Sequence, residues 1–594
     1  MIAPRGSRRG SPIICILAII AGIVAITIAV SGGFSLRLSG VRISSRGTLR
    51  PALFALLFFT LAYRTRPAWQ KSDVSRGVGR VLWAVTPWLP PIAAVVVLAL
   101  CWMYGTRVAG GSDIYGYVSQ AHLWLAGDLR VQQGFAASVV WPNADWTFTP
   151  LGYRPGPNHT IVPTYAPGLP LLMALSTRVI GSCGPFVVTP LCGALLVLLT
   201  FALGVQLTGR VTGALAALLT ASSPTILMMT LWPMSDVPAA AFWTMSLVMG
   251  LRGGSIAPAI FAGICAGIAI VIRPNLVPLL AFPAAFVFLT SSAAARARFS
   301  RLAALAAGCL PFVIFVAYVN YDLYGSFLAS GYGEATSIYK WRNLGPNLIR
   351  YPRWLWATHG LFAFLFLAAA AVPSGPDVHT RNVRWLLLAY IASVFACYIF
   401  YGPFDDWWYL RFVIPAMPVM FLLGIDALWR LTTRAGGAFQ VSLIVLITGL
   451  TMYHAIAYAR QHSVFDIGEG EQKYADVGRY LEQTLPAHTV VLASQHSGSI
   501  RYYAGLKTLK FELLDRAWLD RAIEYLKSTG ANPYIVLEGW EIPNFRRQFA
   551  GQRAVALLDR PAVAVHSRQV FVFSSDLAQR SDSPQTIPHT KGCE

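Results

Sequence analysis

The stretch Gly110-Gly-Ser-Asp-Ile-Tyr-Gly-Tyr117 is the first hydrophilic segment after a full-length apolar run, residues 82–103. After it, Ile114, Val118 and Ala121 recur at helical spacing, which predicts an amphipathic helix over 114–126 lying on a membrane surface. Asp113 then stands at the start of that helix, at the boundary between membrane and water. Its role is either to cap the helix, which Asp does commonly, or to do chemistry at that boundary.

Composition defines the class of protein. Of 594 residues, 55% are hydrophobic and 12% are charged, against about a quarter charged in soluble proteins. The net charge of +21 comes from Lys and Arg scattered over short loops, which is typical of the residues that orient a membrane protein and not of nucleic-acid binding. The eight cysteines show no Cys-x-x-Cys spacing, so we interpret them as small core residues. The chain is therefore predicted to be a polytopic membrane protein.

Apolar segments recur along the chain from residue 81 onward. They cover residues 82–103, 184–206, 211–229, 236–252, 256–272, 275–290, 302–320, 355–372, 385–401, 412–430 and 439–459. The N-terminal part, 1–80, adds the runs 13–30 and 51–63, which form one or two further spans. We interpret the first run as an uncleaved helix and not as a cleaved signal peptide. The prediction is about 11–13 transmembrane helices.

Arginines and lysines set the predicted orientation. Five basic residues between Arg64 and Arg80 precede the 82–103 span, so its start is expected in the cytoplasm and Asp113 outside. Leu169–Ile180 could be a span or an interfacial helix. Only the interfacial alternative puts the Arg296–Arg301 cluster inside, with the other basic loops. The segments then expected on the outer side of an inner membrane are 104–183, 230–236, 321–354, 402–411 and everything after Tyr458.

Residues 465–575 differ in character from the transmembrane core, residues 81–464. Periodicity predicts helices at 471–484, 499–503 and 517–527, and β-strands at 489–494, 534–537, 554–558 and 563–573. Alternating elements of this kind predict a small α/β domain on the outer face. The polar residues 576–594 are expected to be disordered.

Three ionisable residues stand at predicted outer ends of spans. Asp236, in Met234-Ser-Asp-Val-Pro238, is as well explained by helix capping as by function. Arg273 and Arg411 lie on the side where arginine is not needed for orientation. Either they snorkel to the interface or they pair with an acid or a phosphate.

The hydrophilic pieces, in their order along the chain, resemble the bacterial GT-C glycosyltransferases that use polyprenyl-phosphate sugars. This superfamily includes the protein O-mannosyltransferases and the lipid A aminoarabinose transferase. The pieces are Gly111-Ser-Asp-Ile-Tyr-Gly-Tyr with Ala121, Tyr165-Ala-Pro-Gly-Leu-Pro-Leu-Leu, Ser235-Asp-Val-Pro, Ile272-Arg-Pro-Asn, Tyr324-Gly-Ser-Phe-Leu-Ala-Ser-Gly-Tyr-Gly and Tyr409-Leu-Arg-Phe-Val-Ile-Pro-Ala-Met-Pro. They extend across residues 82–430.

The resemblance implies an inverting transfer of a sugar from a polyprenyl phosphate to a glycan, lipid or protein acceptor. It implies a large first external loop with two juxtamembrane helices. The catalytic residues it points to are Asp113, as general base, and Asp236. The donor phosphate would be bound by Arg273, Lys340 and Arg411. Substrate would be bound by Tyr115, Tyr165 and His159. A secondary transporter or a non-catalytic envelope assembly protein are the alternatives.

One departure from the family concerns metal binding. Many relatives carry two adjacent acids in the first loop, whereas Asp113 is flanked by Ser112 and Ile114. A metal site on paired carboxylates is therefore not predicted, although His159, His359, Asp236 and Glu334 are the residues that could complete one. The sequence requires no cofactor and leaves a divalent metal open.

Overall fold

The computed structural model describes residues 34–38, 41–45, 84–253, 255–290, 294–372, 378–433, 437–559, 561–565, 569–574 and 585–586. The helices predicted at 13–30 and 51–63 lie outside these residues, as does most of the predicted tail. Within the N-terminal part, strands β1 (Phe34–Leu38) and β2 (Val41–Ser45) pair antiparallel. In the tail, Gln585–Thr586 forms a short strand.

The chain is a polytopic α-helical membrane protein with a small C-terminal α/β domain, as the sequence predicts. The helices of the membrane part and its loops are α1 (Leu89–Tyr104), α2 (Asp113–Ala126), α3 (Ala144–Thr147), α4 (Gly168–Ile180), α5 (Pro185–Leu207), α6 (Arg210–Ser222), α7 (Pro224–Leu231), α8 (Asp236–Leu251), α9 (Ile256–Ile272), α10 (Ala281–Thr290), α11 (Ala295–Tyr324), α12 (Ala335–Ile338), α13 (Leu344–His359), α14 (Leu365–Ala371), α15 (Val378–Ile399), α16 (Met417–Leu431) and α17 (Gly437–Gln461). Two 3-10 helices, Pro274–Leu280 and Trp407–Ala416, lead into α10 and α16.

Six helical segments in the described part of the chain are long and apolar enough to cross a membrane, or seven if the bent pair α6–α7 forms one span. That pair bends by 57° where Ser223 precedes Pro224, because a proline disfavours the helical conformation of the residue before it. Of five shorter apolar helices, α1, α8, α9 and the Pro274–Thr290 segment fill the remaining predicted span positions, and α4 is the segment predicted to be interfacial. The predicted total of 11–13 includes the first four of these helices and stays a prediction.

The predicted loop 321–354 is shorter than expected. Helical structure begins at Trp341 and continues to Ala371, so the span starts well before the apolar residues that marked it in the sequence. Arg350 and Arg353 lie in the middle of α13, and their charges interrupt the apolar pattern by which the sequence marks a span.

The two ends of the helical bundle form two faces. The loop face holds Asp236 at the start of α8, Arg273 at the end of α9 and Tyr398 near the end of α15, which contact one another. The opposite face holds the other ends of these helices, among them Arg252 and Arg384. Helix α4 both begins and ends on the loop face, because Gly168 lies against Ile272 and α5 then runs from Pro185 to the opposite face. It therefore does not cross the bundle, and its position in the membrane interface stays a prediction.

Glycines allow several helices to approach closely. A Cβ on Gly204 of α5 would lie 2.3 Å from the Cα of Gly213 in α6. A Cβ on Gly263 of α9 would lie 2.0 Å from the carbonyl oxygen of Leu305 in α11. Close approach of backbones through small residues is how helices gain packing energy where lipid removes the hydrophobic drive.

Two small sheets lie on the loop face. The first external loop contains β3 (Val131–Gln132), β4 (Tyr153–Pro155) and β5 (Thr160–Pro163) in the order β3-β5-β4. The C-terminal domain contains α18 (Ile467–Thr484), β6 (Thr489–Leu492), α19 (Ser497–Ala504), β7 (Lys507–Leu509), α20 (Leu519–Ser528), β8 (Asn532–Glu538), α21 (Ile542–Gln548), β9 (Val563–Val565), β10 (Val570–Ser574) and β11 (Gln585–Thr586). Its sheet order is β11-β9-β10-β8-β6-β7, with β6 parallel to β7 and β8.

The strand predicted at 554–558 is wrong. Arg553–Asp559 is a 3-10 helix that buries Ala554 and Leu558 against the domain core, so the apolar residues have helical spacing. The Asp520 carboxylate accepts hydrogen bonds from the backbone N–H groups of Arg553 and Ala554, both at 2.8 Å. This cap comes from a residue distant in sequence, so the local pattern gave no sign of it.

The first external loop completes the core of the C-terminal domain. Ala136, Trp141 and Phe148 share one apolar cluster with Leu492 and Phe511 of the domain. The Arg501 guanidinium of α19 donates to Gln133 Oε1 at 3.1 Å and to the carbonyl oxygen of Phe148. The domain and the loop that carries Asp113 are therefore one packed unit on the loop face.

Candidate active site

Two glycines place Asp113 at the start of α2. Gly111 has φ +55°, a left-handed conformation that favours glycine. A Cβ on Gly110 would lie 2.3 Å from Cδ2 of Tyr474, so the loop fits against the C-terminal domain only with glycine there. Asp113 follows as the first residue of α2.

Both carboxylate oxygens of Asp113 have partners. Oδ1 accepts a hydrogen bond from the Tyr165 hydroxyl at 2.6 Å. Oδ2 accepts from Nη1 and Nη2 of Arg411 at 3.1 and 3.2 Å. The N-cap residue of α2 is Ser112, and it makes no side-chain capping bond. The Asp113 carboxylate is thus committed to distant residues, which argues against helix capping as its main role.

Asp236 forms a second ion pair beside the first. Its Oδ1 lies 2.7 Å from Nη2 of Arg273, with side-chain exposures of 1% and 13%. Arg273 also donates from Nε to Ser235 Oγ at 3.1 Å and from Nη1 to the Tyr398 hydroxyl at 2.9 Å. The arginine closes the C-terminal end of α9, where the helix dipole favours a cation.

Tyrosines connect the two ion pairs. The Tyr117 hydroxyl donates to Ser235 Oγ at 3.1 Å, and the Tyr117 and Tyr165 rings lie 4.6 Å apart. Both guanidinium groups lie near the Phe412 ring, at 5.6 Å for Arg273 and 5.3 Å for Arg411. We call this set, Asp113, Tyr165, Asp236, Arg273 and Arg411, the two-pair site.

The two arginines do not snorkel to water. The Arg411 side chain is 14% exposed and, like Arg273, turns to a carboxylate. Among the described residues, Nε of Arg411 is buried without a hydrogen-bond partner. A buried N–H group without a partner costs free energy, so the site offers a donor to an anion.

The structure does not bring every predicted residue to the two-pair site. Tyr115 is buried against Gly498 of α19, whose added Cβ would lie 2.1 Å from its ring, so it holds the C-terminal domain and cannot contact substrate. His159 is exposed, with Nδ1 2.9 Å from Asp145 Oδ1. Lys340 is half-buried before the 3-10 helix Trp341–Asn343, and its backbone N–H donates to Phe400 O at 2.9 Å. In the described part of the chain, the side chains of His159 and Lys340 make no hydrogen bond or ion pair with the residues of the two-pair site.

Two tyrosines that lie next to the two-pair site, Tyr332 and Tyr398, were not predicted individually. Tyr332 lies 6.0 Å from the Tyr165 ring, and Gly331 fits directly against Thr164. Tyr332 lies in the stretch Tyr324–Gly333, which is one of the sequence pieces that resemble the family. Tyr398 sits near the end of an apolar helix, and nothing in its local sequence sets it apart.

The donor set does not suit a paired-carboxylate metal site. Asp113 faces a guanidinium and a phenol, and Asp236 faces the other guanidinium. His359 is buried beside Thr358 and Phe421, and Glu334 is exposed. Over the residues that the structure describes, no three His, Cys, Asp or Glu side chains are grouped so that they could hold a metal ion.

A buried acidic cluster in the C-terminal domain lies behind the Gly110–Gly111 turn. Burial raises the pKa of Glu471 to about 7, against the opposing charge of Lys473. Burial also raises the pKa of Glu541 to about 7. A Cβ on Gly110 would lie 2.6 Å from Glu471 Oε2, so this carboxyl group touches the turn that positions Asp113.

Comparison with known proteins supports the same architecture. A family model described as dolichyl-phosphate-mannose-protein mannosyltransferase matches residues 163–321, which include Asp236 and Arg273. No curated protein matches the chain. Among solved structures, ArnT from Cupriavidus metallidurans in the apo state superposes with a TM-score of 0.52 at 14% identity, covering 84% of this chain and 100% of that chain.

The same protein bound to undecaprenyl phosphate gives 0.51 at 14% identity, with 84% and 99% covered. The archaeal oligosaccharyltransferase AglB from Archaeoglobus fulgidus, in complex with an inhibitory peptide and a dolichol-phosphate, gives 0.50 at 12% identity, with 80% and 72% covered. The fold is that of the GT-C glycosyltransferases. The family-model match and the shared fold together confirm the resemblance that the ordered sequence pieces indicated, to membrane glycosyltransferases of this type.

Replacing Glu471 by Gln tests the buried acidic cluster. Both Glu471 and Glu541 have folded pKa values of about 7 against ordinary values of 4.5, so each binds a proton in the folded protein that it releases on unfolding. Stability should therefore fall as pH rises from about 5 to about 7, and Glu471→Gln should reduce that slope by roughly half. Thermal unfolding of the purified protein at several pH values measures it.

Glu469→Gln, at an exposed position on the same helix, is the matched control and should leave the slope unchanged. The same slope in Glu471→Gln and in the wild type would show that this carboxyl group is not protonated in the folded protein.

Proposed function

We propose that the chain is an integral-membrane glycosyltransferase that transfers a sugar from a polyprenyl-phosphate donor to a cell-envelope acceptor, with inversion, on the outer face of the inner membrane. Asp113 acts as general base. The observation that carries the proposal is the placement of a partly exposed carboxylate, with 27% of its side chain accessible, beside two desolvated arginines on one face of a GT-C fold. Undecaprenyl phosphate in ArnT and dolichol-phosphate in AglB support this class of donor.

Asp113 is suited to deprotonate an acceptor hydroxyl. A general base must lie within hydrogen-bond reach of the proton that it removes. Arg411 holds Oδ2 and Tyr165 holds Oδ1, which fixes the carboxylate while its exposed edge faces the loops. In the proposed single displacement, the acceptor oxygen bonds to the anomeric carbon as the carbon–phosphate oxygen bond breaks. The proton passes to Asp113, and the lipid phosphate departs with the electron pair.

Arg273 and Arg411 are suited to stabilise the departing phosphate. Charge-assisted hydrogen bonds from guanidinium to phosphate are strong and directional, and more so where water is excluded. Arg411 offers a buried Nε with no partner among the described residues. Arg273 is fixed by Ser235 and Tyr398, so little reorganisation is needed at the moment of reaction.

Asp113→Asn separates the catalytic role from a structural one. The variant keeps the size of the side chain and an oxygen for Tyr165 but loses the proton acceptor. Turnover should fall at least ~100-fold, the lower end of what general-base loss costs. Because the Asp113 side chain is 27% exposed, the melting temperature should fall much less than for a fully buried ion pair. The measurement is donor consumption by the purified protein. Asp128→Asn, beyond the other end of α2, is the control and should retain activity. Activity of Asp113→Asn within a few-fold of wild type would show that Asp113 is not the general base, whereas no donor consumption by the wild type would favour the non-catalytic assembly protein.

Asp236→Asn is expected to behave differently. This carboxylate is 1% exposed and pairs with Arg273, so the substitution leaves a buried guanidinium without its counter-charge. Loss of one partner of a buried pair costs roughly 3–5 kcal/mol. The melting temperature should therefore fall together with activity, and by more than in Asp113→Asn, whose carboxylate is partly exposed. A stable but inactive Asp236→Asn would instead place Asp236 in the reaction itself.

Lysine substitutions test the phosphate role of the arginines. Arg273→Lys and Arg411→Lys keep the charge but lose the planar fork of donors. Binding of undecaprenyl phosphate to the purified protein should weaken roughly 10-fold, the order expected for a lost hydrogen bond to a charged group. Arg350→Lys, at the exposed pair with Asp405, is the control. Unchanged binding in both site variants would mean that these arginines serve only their carboxylates.

Reporter fusions test which side the site faces. Alkaline phosphatase fused after Ser575 should be active, and fused after Thr433, at the opposite face, it should be inactive. The expectation rests on Arg252, Arg301, Arg384 and Arg430, which gather at the opposite face, where cytoplasmic charge belongs. The reverse pattern of activity would put the two-pair site in the cytoplasm.

A further inference from the structure

A cavity of about 630 Å³ opens on the opposite face of the bundle, away from the two-pair site. It lies where α5, α8 and α10 end and where α15 begins, beside the last turn of α16. Asp236 begins α8 and Leu251, on the cavity wall, ends it 15 residues later. At 1.5 Å per residue the two sites are about 22 Å apart along this helix. The cavity is therefore separate from the proposed chemistry.

The charged groups on the cavity wall are mainly cationic. Among the residues that the structure describes, Arg252, Arg384 and Arg430 line it with one carboxylate, Asp426, which gives a net charge of +2 from three cations and one anion. Asp426 Oδ2 lies 2.9 Å from Arg430 Nε and 3.7 Å from Arg384 Nη2, so the one acid is shared between two arginines. The wall has an excess of guanidinium donors.

Arg384 is the deepest of the three arginines. The residue is 5% exposed, and its Nη1 donates to the carbonyl oxygens of Ala369 at 3.2 Å and Val372 at 2.5 Å. Its Nη2 is buried and has no hydrogen-bond partner among the described residues. Arginines that only orient a span would extend into water. A buried guanidinium N–H on a cavity wall that makes no hydrogen bond, with its nearest carboxylate 3.7 Å away, instead favours an anionic ligand.

Apart from Gln206, Thr208, Thr290 and Thr380, the rest of the described wall is apolar. It is built by Phe201, Val205, Leu207, Leu251, Val383 and Leu387. Inorganic phosphate would satisfy the arginines but would leave these side chains without a ligand to pack on. An amphiphile with an anionic head and hydrocarbon chains matches both parts of the wall, and basic pockets between transmembrane helices are suited to lipid headgroups of this kind.

We propose that this cavity binds an anionic phospholipid, with the headgroup phosphodiester on Arg252, Arg384 and Arg430 and the acyl chains along the apolar wall. A bound lipid would join the ends of α5, α8, α10, α15 and α16. The site is independent of the sugar transfer on the other face.

Lipid binding to the purified protein tests the proposal, with dioctanoyl phosphatidylglycerol as the probe in native mass spectrometry. The double variant Arg252→Gln/Arg430→Gln removes two cations but leaves Arg384 and its backbone contacts in place. Its affinity for the probe should fall at least about 10-fold relative to wild type. Arg381→Gln/Arg296→Gln removes the same charge from exposed positions outside the cavity and should bind as wild type does.

Two competitors identify the ligand class. Dioctanoyl phosphatidylcholine, with the same chains and no net charge, should bind wild type at least about 10-fold more weakly than the anionic probe. Millimolar inorganic phosphate should not displace the probe. Equal binding of both lipids, displacement by phosphate alone, or unchanged binding in the cavity variant would each overturn the proposal.

A variant on the apolar wall tests the proposal without changing any charge, in case the arginine double variant misfolds. Val205→Trp fills part of the cavity and leaves all three arginines in place. It should also weaken binding of phosphatidylglycerol while the melting temperature stays at the wild-type value. Full binding by Val205→Trp would show that the lipid lies elsewhere.

Discussion

The ion pair between Asp113 and Arg411 is the interaction on which the loop face depends. It joins the start of α2 to the 3-10 helix Trp407–Ala416, which leads into α16, and its two residues are 298 positions apart in sequence. Charges at the edge of a membrane are costly unless they are paired, so the position of one partner determines that of the other. Through Tyr165 the same carboxylate also fixes the entry to α4. Three separate parts of the chain therefore meet at one side chain.

The second pair extends this constraint to the neighbouring helices. Arg273 at the end of α9 bonds to residues at the start of α8 and near the end of α15. A buried ion pair is weak evidence for stability, because an apolar replacement of similar shape is often as stable. Two such pairs at the loop end of a GT-C fold are better explained by chemistry than by folding. The C-terminal domain then packs on the Gly110–Gly111 turn and holds Asp113 from behind.

How much of this could be predicted from the sequence depends on the kind of signal. Asp113 and Asp236 were identified because each carboxylate stands at the start of a helix at the predicted membrane boundary. Arg273 and Arg411 were identified because arginine is not needed there for membrane orientation, and the structure brings all four together. Tyr115 was assigned to substrate although helical geometry argues otherwise. Residues four apart, such as Asp113 and Tyr117, share a helix face, whereas Tyr115 lies two positions on and turns away. Tyr398 could not be predicted, since its role comes from tertiary contact and its local sequence is merely apolar.

The two faces of the bundle use arginine in different ways. On the loop face two guanidinium groups meet two carboxylates, so the local charge is balanced before any substrate arrives. The two carboxylates keep both arginines oriented and out of water, and they weaken the attraction of the site for anions in general. A ligand therefore gains binding energy only if its phosphate meets the guanidinium groups in the right geometry. At the opposite face the described wall holds three arginines and one carboxylate, which contacts two of them, and the excess charge favours a phosphodiester that also fills the apolar wall. The two-pair site, in which the charges are balanced, is suited to a reaction in which negative charge develops on a leaving phosphate. The cavity, with its net positive charge, is suited to a stably bound anionic ligand.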